Sequence, residues 1–274
     1  MNTSCKPSHT RTFFSFWMFL RDRLFSRVQR PHFIETPCRM TASLRSTLLP
    51  IVRHCATIER ANGDKCAVDE QLEIECRMRL SPEEFYALFA KLASTDANVL
   101  TQLGATKQRD AVYRPPRDAR QASRNGSAGA NVRPYRSRLC YHPTLAEPLF
   151  GVEKHTLLNA ERTLVRISES IEMRVDASRE VYVDAKSVLD SDASGASQFM
   201  YWRSKDRRSF VLQRDAPLWQ LDLTHIVEHR DAAQTDAKVQ YELEFELAPS
   251  ALAKAEPNEA VEQLQRLLAF VLGA

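Results

Sequence analysis

Short stretches in which apolar and polar residues alternate recur along this chain, and a period of two residues is typical of β-strands. Near the C-terminus the sequence reads YELEFEL, where Glu242, Glu244 and Glu246 alternate with apolar residues. Such a strand has one apolar face and one face of carboxylates. A solvated outer face is the ordinary explanation of the pattern, because antiparallel sheets often leave one side in water.

A second stretch, LEIECR, repeats this pattern far from the first, with Glu73 and Glu75 between apolar residues. If the two strands are neighbours in one sheet, five carboxylates share one face. Like charges at that spacing raise one another's pKa and destabilise the fold unless something compensates. A hard divalent cation binds carboxylate oxygens and would compensate. The two glutamate rows are therefore a candidate metal site.

Basic residues take the alternating positions in the middle strands. YWRSKDRRSF places Arg203, Lys205 and Arg207 on one face of a predicted strand, and YRSRL does the same for Arg136 and Arg138. For one strand, a solvated face of mixed charge is the ordinary explanation. Repetition of this design over six or seven strands favours a barrel with a charged interior. The ligand that suits such an interior is a short polyanion such as a triphosphate.

The pattern as a whole predicts a mainly β fold of the α+β class, in which an antiparallel sheet curls or closes between helices. Ser81 and Glu84 form a predicted capping box for the first helix, and residues 257–272 form an apolar helical stripe. The stretch 114–134 has the composition of an exposed loop. Strands are predicted at 70–80, 106–114, 135–141, 150–157, 163–175, 180–184, 199–204, 207–214, 218–224 and 239–248.

Charge is distributed unevenly along the chain, although the net charge is only +3. Residues 1–60 hold ten Lys and Arg but three Asp and Glu. We expect residues 1–66 to be a basic tail without regular structure and residues 67–274 to be the folded domain. The stretch TFFSFWMFLRDRLFSRVQR has the character of a transit peptide. A start at Met40 is equally compatible with the sequence, which leaves open whether residues 1–39 are translated.

Several function classes lack their sequence signatures here. The six cysteines show no CxxC pair, and neither a GxxxxGK phosphate loop nor an HExxH zinc motif occurs. No run of about 18 apolar residues predicts a membrane span. At 43% apolar and 27% charged residues, the composition is that of a soluble globular protein.

These motifs resemble those of the triphosphate tunnel metalloenzymes and, within that family, the fungal and protozoan mRNA 5′-triphosphatases that start cap synthesis. LEIE and YELEFE resemble the first and last glutamate motifs of the family, and RSKDRRSF with LDLT resembles its basic strand and the strand after it. VRISESIE resembles a strand with an inward glutamate, VEKH one with an inward lysine and QRDAVY one with an inward aspartate. The resemblance runs from about residue 70 to residue 248.

The resemblance implies a closed antiparallel β-barrel of eight strands with flanking helices. It also implies roles for individual residues. The implied ligands of Mg²⁺ or Mn²⁺ are Glu73, Glu75 and Glu246. The implied catalytic residues are Glu172, Glu242, Glu244 and Arg207, with Glu244 as the candidate general base. The implied phosphate-binding residues are Arg138, Lys154, Arg203, Lys205 and Arg207, with the choice between Arg136 and Arg138 left open.

The implied reaction is hydrolysis of the γ-phosphate of triphosphate-ended RNA to a diphosphate end, with nucleoside triphosphates as further substrates when Mn²⁺ is the metal. The implied setting is the nucleus, with a guanylyltransferase as partner and no membrane. One alternative is a tunnel-family enzyme that acts on inorganic tripolyphosphate or another organic triphosphate. The alternative from a different class is a non-catalytic module that binds RNA or polyphosphate through the basic loop 114–138 and the basic tail.

Overall fold

The computed structural model describes residues 37–62, 70–114, 136–157, 163–167, 171–213, 217–230, 236–247, 249–252 and 255–273. The helices are α1 (Pro37–Asn62), α2 (Pro82–Ala93), α3 (Ala185–Ala193), the short α4 (Pro249–Leu252) and α5 (Pro257–Leu272). The strands are β1 (Glu70–Leu80), β2 (Leu100–Arg114), β3 (Arg136–Tyr141), β4 (Phe150–Thr156), β5 (Thr163–Arg166), β6 (Glu172–Val183), β7 (Gln198–Leu212), β8 (Trp219–His229) and β9 (Ala237–Leu247).

Eight of these strands form a closed antiparallel barrel. The order around it is β1, β9, β8, β7, β2, β3, β4 and β6, and pairing of β6 with β1 closes the ring. The ninth strand, β5, pairs with β6 on the same side as β4. It pairs with residues 172–175 of β6, whereas β4 pairs with residues 178–183. The predicted fold class, a closed eight-stranded barrel with flanking helices, is thereby confirmed.

Several strand boundaries differ from the predicted ones. The strand expected at 218–224 continues to His229 as β8. The two strands expected at 199–204 and 207–214 are one strand, β7. The strand expected at 163–175 is interrupted, and its second half continues as β6 to residue 183. β2 begins at Leu100, six residues before the expected start. The predicted loop at 114–134 lies outside the described residues apart from Arg114.

The main apolar core lies outside the barrel, between its wall and the helices. Outward side chains of β1, such as Ile74 and Met78, pack there with Leu243 of β9 and with Leu264 and Leu268 of α5. The alternating strands therefore place their apolar face under the helices and their polar face inside the barrel. The glutamate rows point inward, which is the opposite of the ordinary solvated-face explanation.

Helix α1 corrects the expected domain boundary at residue 67. Leu44, Leu48, Val52 and Cys55 are buried in the same core as the barrel wall. Their spacing of three to four residues is that of an apolar helical stripe, but Pro50 lies within it and interrupts the pattern as read from the sequence. Residues from Pro37 onward form one compact unit. Residues 1–36 of the expected tail lie outside the described residues.

The remaining helices cover the other parts of the barrel wall. The predicted capping box of α2 is present, since Ser81 accepts a hydrogen bond from the backbone of Glu84 and Glu84 accepts one from Ser81. Helix α3 was not predicted, and its Val188 packs so closely on Gly151 that a Cβ there would stand 2.9 Å from a Val188 methyl group. Across the described ranges, no helix is both long and apolar enough to cross a membrane.

Candidate active site

The inward faces of the strands enclose a polar cavity of about 220 Å³. Six cationic side chains and four carboxylates line it, together with glutamines, a cysteine and two aromatic rings. The cations are Arg77, Arg136, Arg138, Arg203, Lys205 and Arg207, and the carboxylates are Glu73, Glu75, Glu180 and Glu246. A concentration of both charge signs in one buried space is costly to fold and is typical of a functional site.

The two glutamate rows meet on neighbouring strands, as their shared face requires. In the pairing of β1 with β9, Glu75 lies directly opposite Glu246 and Arg77 lies opposite Glu244. Glu73 lies one step further along β1 and accepts a hydrogen bond from Ser178 of β6 at 3.2 Å. The carboxylate wall of the cavity therefore spans β9, β1 and β6.

Arg77 continues the inward row of Glu73 and Glu75, and the sequence reasoning missed it. Its guanidinium lies 2.9 Å from Glu75, 2.5 Å from Glu244 and 3.5 Å from Glu242. The period-two pattern extends through position 77, so parity alone would have placed it inside. Arg77 therefore forms ion pairs with glutamates of both rows.

Lys154 lies beneath the cavity rather than in its wall. Its ammonium group is buried and contacts the carboxylates of Glu73, Glu75 at 3.1 Å and Glu180 at 3.5 Å. The role expected for Lys154 was phosphate binding. In the structure Lys154 is a counter-charge for three carboxylates from two strands, and its role toward phosphate stays a prediction.

The glutamates of this wall have very different proton affinities. Burial raises the pKa of Glu246 to about 7, and the charge of Glu75 adds to the rise against the opposing effect of Arg207. Burial also raises the pKa of Glu73, with a further contribution from Glu75. For Glu244 the effect of burial is outweighed by Arg77 and Arg207, which hold its pKa at about 2.

The cationic wall opposite is organised around Asp110 of β2. This fully buried carboxylate accepts a hydrogen bond from Arg203 at 2.7 Å and lies 3.3 Å from the ammonium of Lys205. Lys205 and Arg203 hold the pKa of Asp110 well below its usual range despite its burial. Burial and the charge of Arg203 lower the pKa of Lys205 to about 7. The inward aspartate that QRDAVY suggested thus anchors two of the expected phosphate-binding residues.

Strand β7 follows the predicted parity. Arg203, Lys205 and Arg207 line the cavity, and Arg207 contacts Asp222 at 3.0 Å and Glu244 at 2.9 Å. Arg208 lies on the opposite face of β7 and is half-buried. It lies 3.8 Å from Asp206, which is on the same face as Arg208. The basic row of this strand therefore belongs to the interior.

No family model matches the chain, and no curated protein sequence matches it. Among solved structures, the capping enzyme triphosphatase of mimivirus is 15% identical over 84% of this chain and 98% of that one, with a TM-score of 0.52. A second structure, the RNA triphosphatase domain of the trifunctional mimivirus mRNA capping enzyme, matches over the same shares at 15% identity and a TM-score of 0.51.

The chain has the triphosphate tunnel fold. The Pct1 RNA triphosphatase of S. pombe is also similar, at 15% identity over 82% of this chain and 88% of that chain, with a TM-score of 0.46. At this level of identity the likeness concerns the fold. The cavity described above is the tunnel of that fold.

Glu172 does not reach the tunnel. It is the exposed first residue of β6, paired in register with Arg166 of β5, and it lines no part of the cavity. The inward glutamate of β6 is Glu180, which accepts a hydrogen bond from Arg138 at 2.9 Å. The sequence reasoning missed it by dividing β6 in two, although Ser178 and Glu180 continue the even-numbered polar face.

Arg136 and Arg138 of β3 both line the tunnel. The structure therefore excludes neither of them as a phosphate-binding residue. Arg138 pairs with Glu180, and this charge raises its pKa although burial opposes the rise. Arg136 lies one step further along the same face and also lines the tunnel.

The donor types of the carboxylate wall fit a hard divalent cation, because Glu73, Glu75 and Glu246 offer oxygen ligands on adjoining positions. Burial is the main cause of the raised pKa values of Glu73 and Glu246, and a bound cation would favour the ionised form of both carboxylates. Within the described part of the chain, no three Asp, Glu, His or Cys side chains are already gathered for a metal ion. Coordination would require Glu73 and Glu75 to exchange their present contacts, which are with Lys154 and, for Glu75, also with Arg77.

Proposed function

We propose that this chain is a metal-dependent mRNA 5′-triphosphatase, which removes the γ-phosphate of triphosphate-ended RNA and leaves a diphosphate end for cap synthesis. The observation that carries the proposal is the joint lining of one tunnel by six cations and four carboxylates. Phosphoryl transfer needs cations around the phosphate oxygens, a site for a metal and a group that orients water. Arg203, Lys205 and Arg207 belong to the cationic wall, whereas the carboxylate wall of β1 and β9 supplies candidates both for the metal site and for orienting water.

In this proposal Glu73, Glu75 and Glu246 hold Mg²⁺ or Mn²⁺, which when bound polarises a phosphoryl oxygen and neutralises its charge. Arg138, Arg203, Lys205 and Arg207 hold the phosphate oxygens. Without substrate the three arginines are paired with Glu180, Asp110, Asp222 and Glu244. Substrate binding therefore exchanges these internal ion pairs for contacts with phosphate oxygens.

The group that orients the attacking water is proposed to be a glutamate of β9. Glu244 is the candidate from the family resemblance, but its two arginine contacts give it a pKa of about 2 and make it a weak base while they persist. Loss of Arg207 to the substrate removes one of these contacts. Glu242, buried 3.5 Å from Arg77, is a second candidate. Direct attack by water leaves no covalent intermediate on the chain.

Release of phosphate from triphosphate-ended RNA, with and without Mg²⁺ or Mn²⁺, tests the proposal. We expect metal-dependent release of one phosphate for each RNA end. Turnover of inorganic tripolyphosphate with none of RNA would instead support the alternative tunnel enzyme. Salt-dependent RNA binding without any phosphate release would support the non-catalytic module. A nuclear location and association with a guanylyltransferase are further expectations of the capping role.

A further inference from the structure

Two aromatic rings line a tunnel whose other lining residues are charged, apart from two glutamines and a cysteine. Phe150 is the first residue of β4 and Tyr182 is the last but one of β6. Their ring centroids are 5.6 Å apart and the ring planes are inclined by 53°. As whole residues Phe150 and Tyr182 are 38% and 37% exposed, and both also line the cavity, so they lie where the cavity meets solvent. They form one aromatic pair at the tunnel mouth.

The aromatic pair lies next to phosphate-binding candidates. In register across three strands, Arg138 of β3 pairs with Val152 of β4, and Val152 pairs with Tyr182 of β6. Two strand spacings amount to roughly 10 Å along the barrel wall, and the flexible ribose and phosphate chain between a base and its terminal phosphate can reach across that distance. Phe150 of β4 pairs in register with Cys140, two residues beyond Arg138 on β3. An anion held by Arg138 therefore has an apolar, planar surface within reach on its solvent side.

An ordinary structural role would be cross-strand packing that stabilises the barrel end. Such packing accounts for the contact between the rings, yet it gives no reason for both rings to remain exposed in the lining of a polar cavity. Nucleobases stack on exposed aromatic rings with little dependence on sequence, because every base has a π-face. A ligand with a base at one end and a triphosphate at the other satisfies both parts of the site.

We infer that Phe150 and Tyr182 are a stacking site for the nucleobase adjoining the triphosphate, which is the base of the 5′-terminal nucleotide in RNA. The inference rests on the proposed function and names the part of the substrate that the charged tunnel does not recognise. It predicts that the chain distinguishes nucleotides from inorganic tripolyphosphate through these two rings. The base stacks outside the charged part of the tunnel, and the phosphates extend inward past Arg138.

Equilibrium binding measured by calorimetry without divalent metal tests the inference, with ATP and inorganic tripolyphosphate as the two ligands. We expect the unaltered chain to bind ATP more tightly. The double variant Phe150→Leu, Tyr182→Leu keeps apolar volume but removes both π-faces. It should weaken ATP binding about tenfold, within the range measured for loss of one base stack, and leave tripolyphosphate binding within twofold. The swapped variant Phe150→Tyr, Tyr182→Phe should keep both affinities.

Equal weakening of ATP and tripolyphosphate would overturn the inference, since the rings would then act only through the shape of the tunnel. Equal affinity of the unaltered chain for both ligands would overturn it without any variant. If the double variant melts at a much lower temperature, Phe150→Leu and Tyr182→Leu are measured singly, with the same expectation and a smaller change. The proposed function fails separately, if no phosphate is released with Mg²⁺ or Mn²⁺ although base-dependent binding is present.

Discussion

The two faces of β1 differ in what they contribute to the molecule. Leu72 and Ile74 point outward and are buried under the helices, where removal of apolar surface from water favours folding. Glu73 and Glu75 point inward and are nearly as buried, but there burial opposes their ionisation. The same strand is thus stabilising on one face and costly on the other. A buried charge cluster that the fold itself does not need is most readily explained by a ligand that it binds.

The cost of the inner face is limited by the pairing of its charges. Arg77 and Lys154 each contact three glutamates, and Asp110 contacts two cationic side chains, those of Arg203 and Lys205. Buried ion pairs rarely stabilise more than apolar side chains of the same volume would. Changes on the outer face should therefore affect stability most, and changes on the inner face should affect ligand binding and turnover most.

Removal of α1 should have the largest effect, because this helix covers the outer face. A chain that starts at residue 63 lacks six buried apolar residues, namely Leu44, Leu48, Ile51, Val52, Cys55 and Ala56. Each large aliphatic side chain contributes about 1.5–3 kcal/mol when buried, so the loss is comparable to the whole stability of an ordinary domain. We expect no cooperative melting transition by circular dichroism. A chain that starts at Pro37 is the control and should melt as the full chain does.

A truncated chain from residue 63 that melts within a few degrees of this control would show that α1 is not part of the folding unit. A full chain that melts much higher than the control would instead assign stability to residues 1–36. The point variant Leu48→Ala separates these outcomes from effects of chain length, with an expected cost of about 2–5 kcal/mol.

Removal of a carboxylate from the inner face should have the largest effect on turnover. Changing Glu73, Glu75 or Glu246 singly to Ala should nearly abolish metal-dependent phosphate release, because each removes a proposed metal ligand. The variants should still fold, since Lys154 and Arg77 keep other carboxylate partners. Added Mn²⁺ should raise the melting temperature of the unaltered chain and should raise that of the variants less. Glu172→Ala, at an exposed position outside the tunnel, is the matched control and should keep full activity.

The parity of the strands was enough to predict the inner face but not what covers the outer one. Alternation placed Glu75, Glu246 and Arg207 inside because a strand has only two faces. It failed at Glu172, since parity identifies a face and not the height at which a side chain reaches the tunnel. Strand pairing determines that height, and pairing is a long-range property that one sequence read alone does not reveal.

The outer face was harder to predict because helices bind there through shape as well as pattern. The stripe of α1 contains Pro50, which removes a backbone donor and is usually found at the start of a helix, so the sequence argued against 26 helical residues. Tertiary packing of Leu48 and Val52 outweighs this local cost. Lys154 shows a related limit, because its strand and inward face were predicted but its three carboxylate contacts depend on distant strands.

Arg207 and Arg208 are side chains of one kind on opposite faces of β7, so substituting each in turn tests which face lines the tunnel. Arg207 contacts Asp222 and Glu244 inside the tunnel, whereas Arg208 lies on the other face. Arg207→Ala should slow turnover about ten- to a hundredfold, the loss expected for one charge-assisted hydrogen bond to phosphate. Arg208→Ala should change turnover less than threefold. Equal losses in steady-state phosphate release would contradict the assignment of this face to the interior.

The smallest expected effect concerns proton binding by two glutamates of β9 in the metal-free chain. The pKa of Glu246 is about 7 in the folded state, above the value of about 4.3 in an unfolded chain. The folded state therefore binds more protons between these values, and this group lowers stability as the pH rises through that interval. Glu246→Gln should raise the melting temperature by a few degrees at pH 8 and much less at pH 5.

Glu244 should behave in the opposite way, because Arg77 and Arg207 hold its folded pKa at about 2, below the unfolded value. Its stabilising contribution is present above about pH 4.3 and is lost as the pH falls toward 2. Glu244→Gln should therefore lower the melting temperature at pH 8 and also at pH 5. The two variants carry the same substitution on the same face of one strand, so differences in side-chain volume cancel. Melting curves in the presence of a chelator measure both, and a shift of the same sign for the two variants at pH 8 would contradict the charge distribution described for this wall.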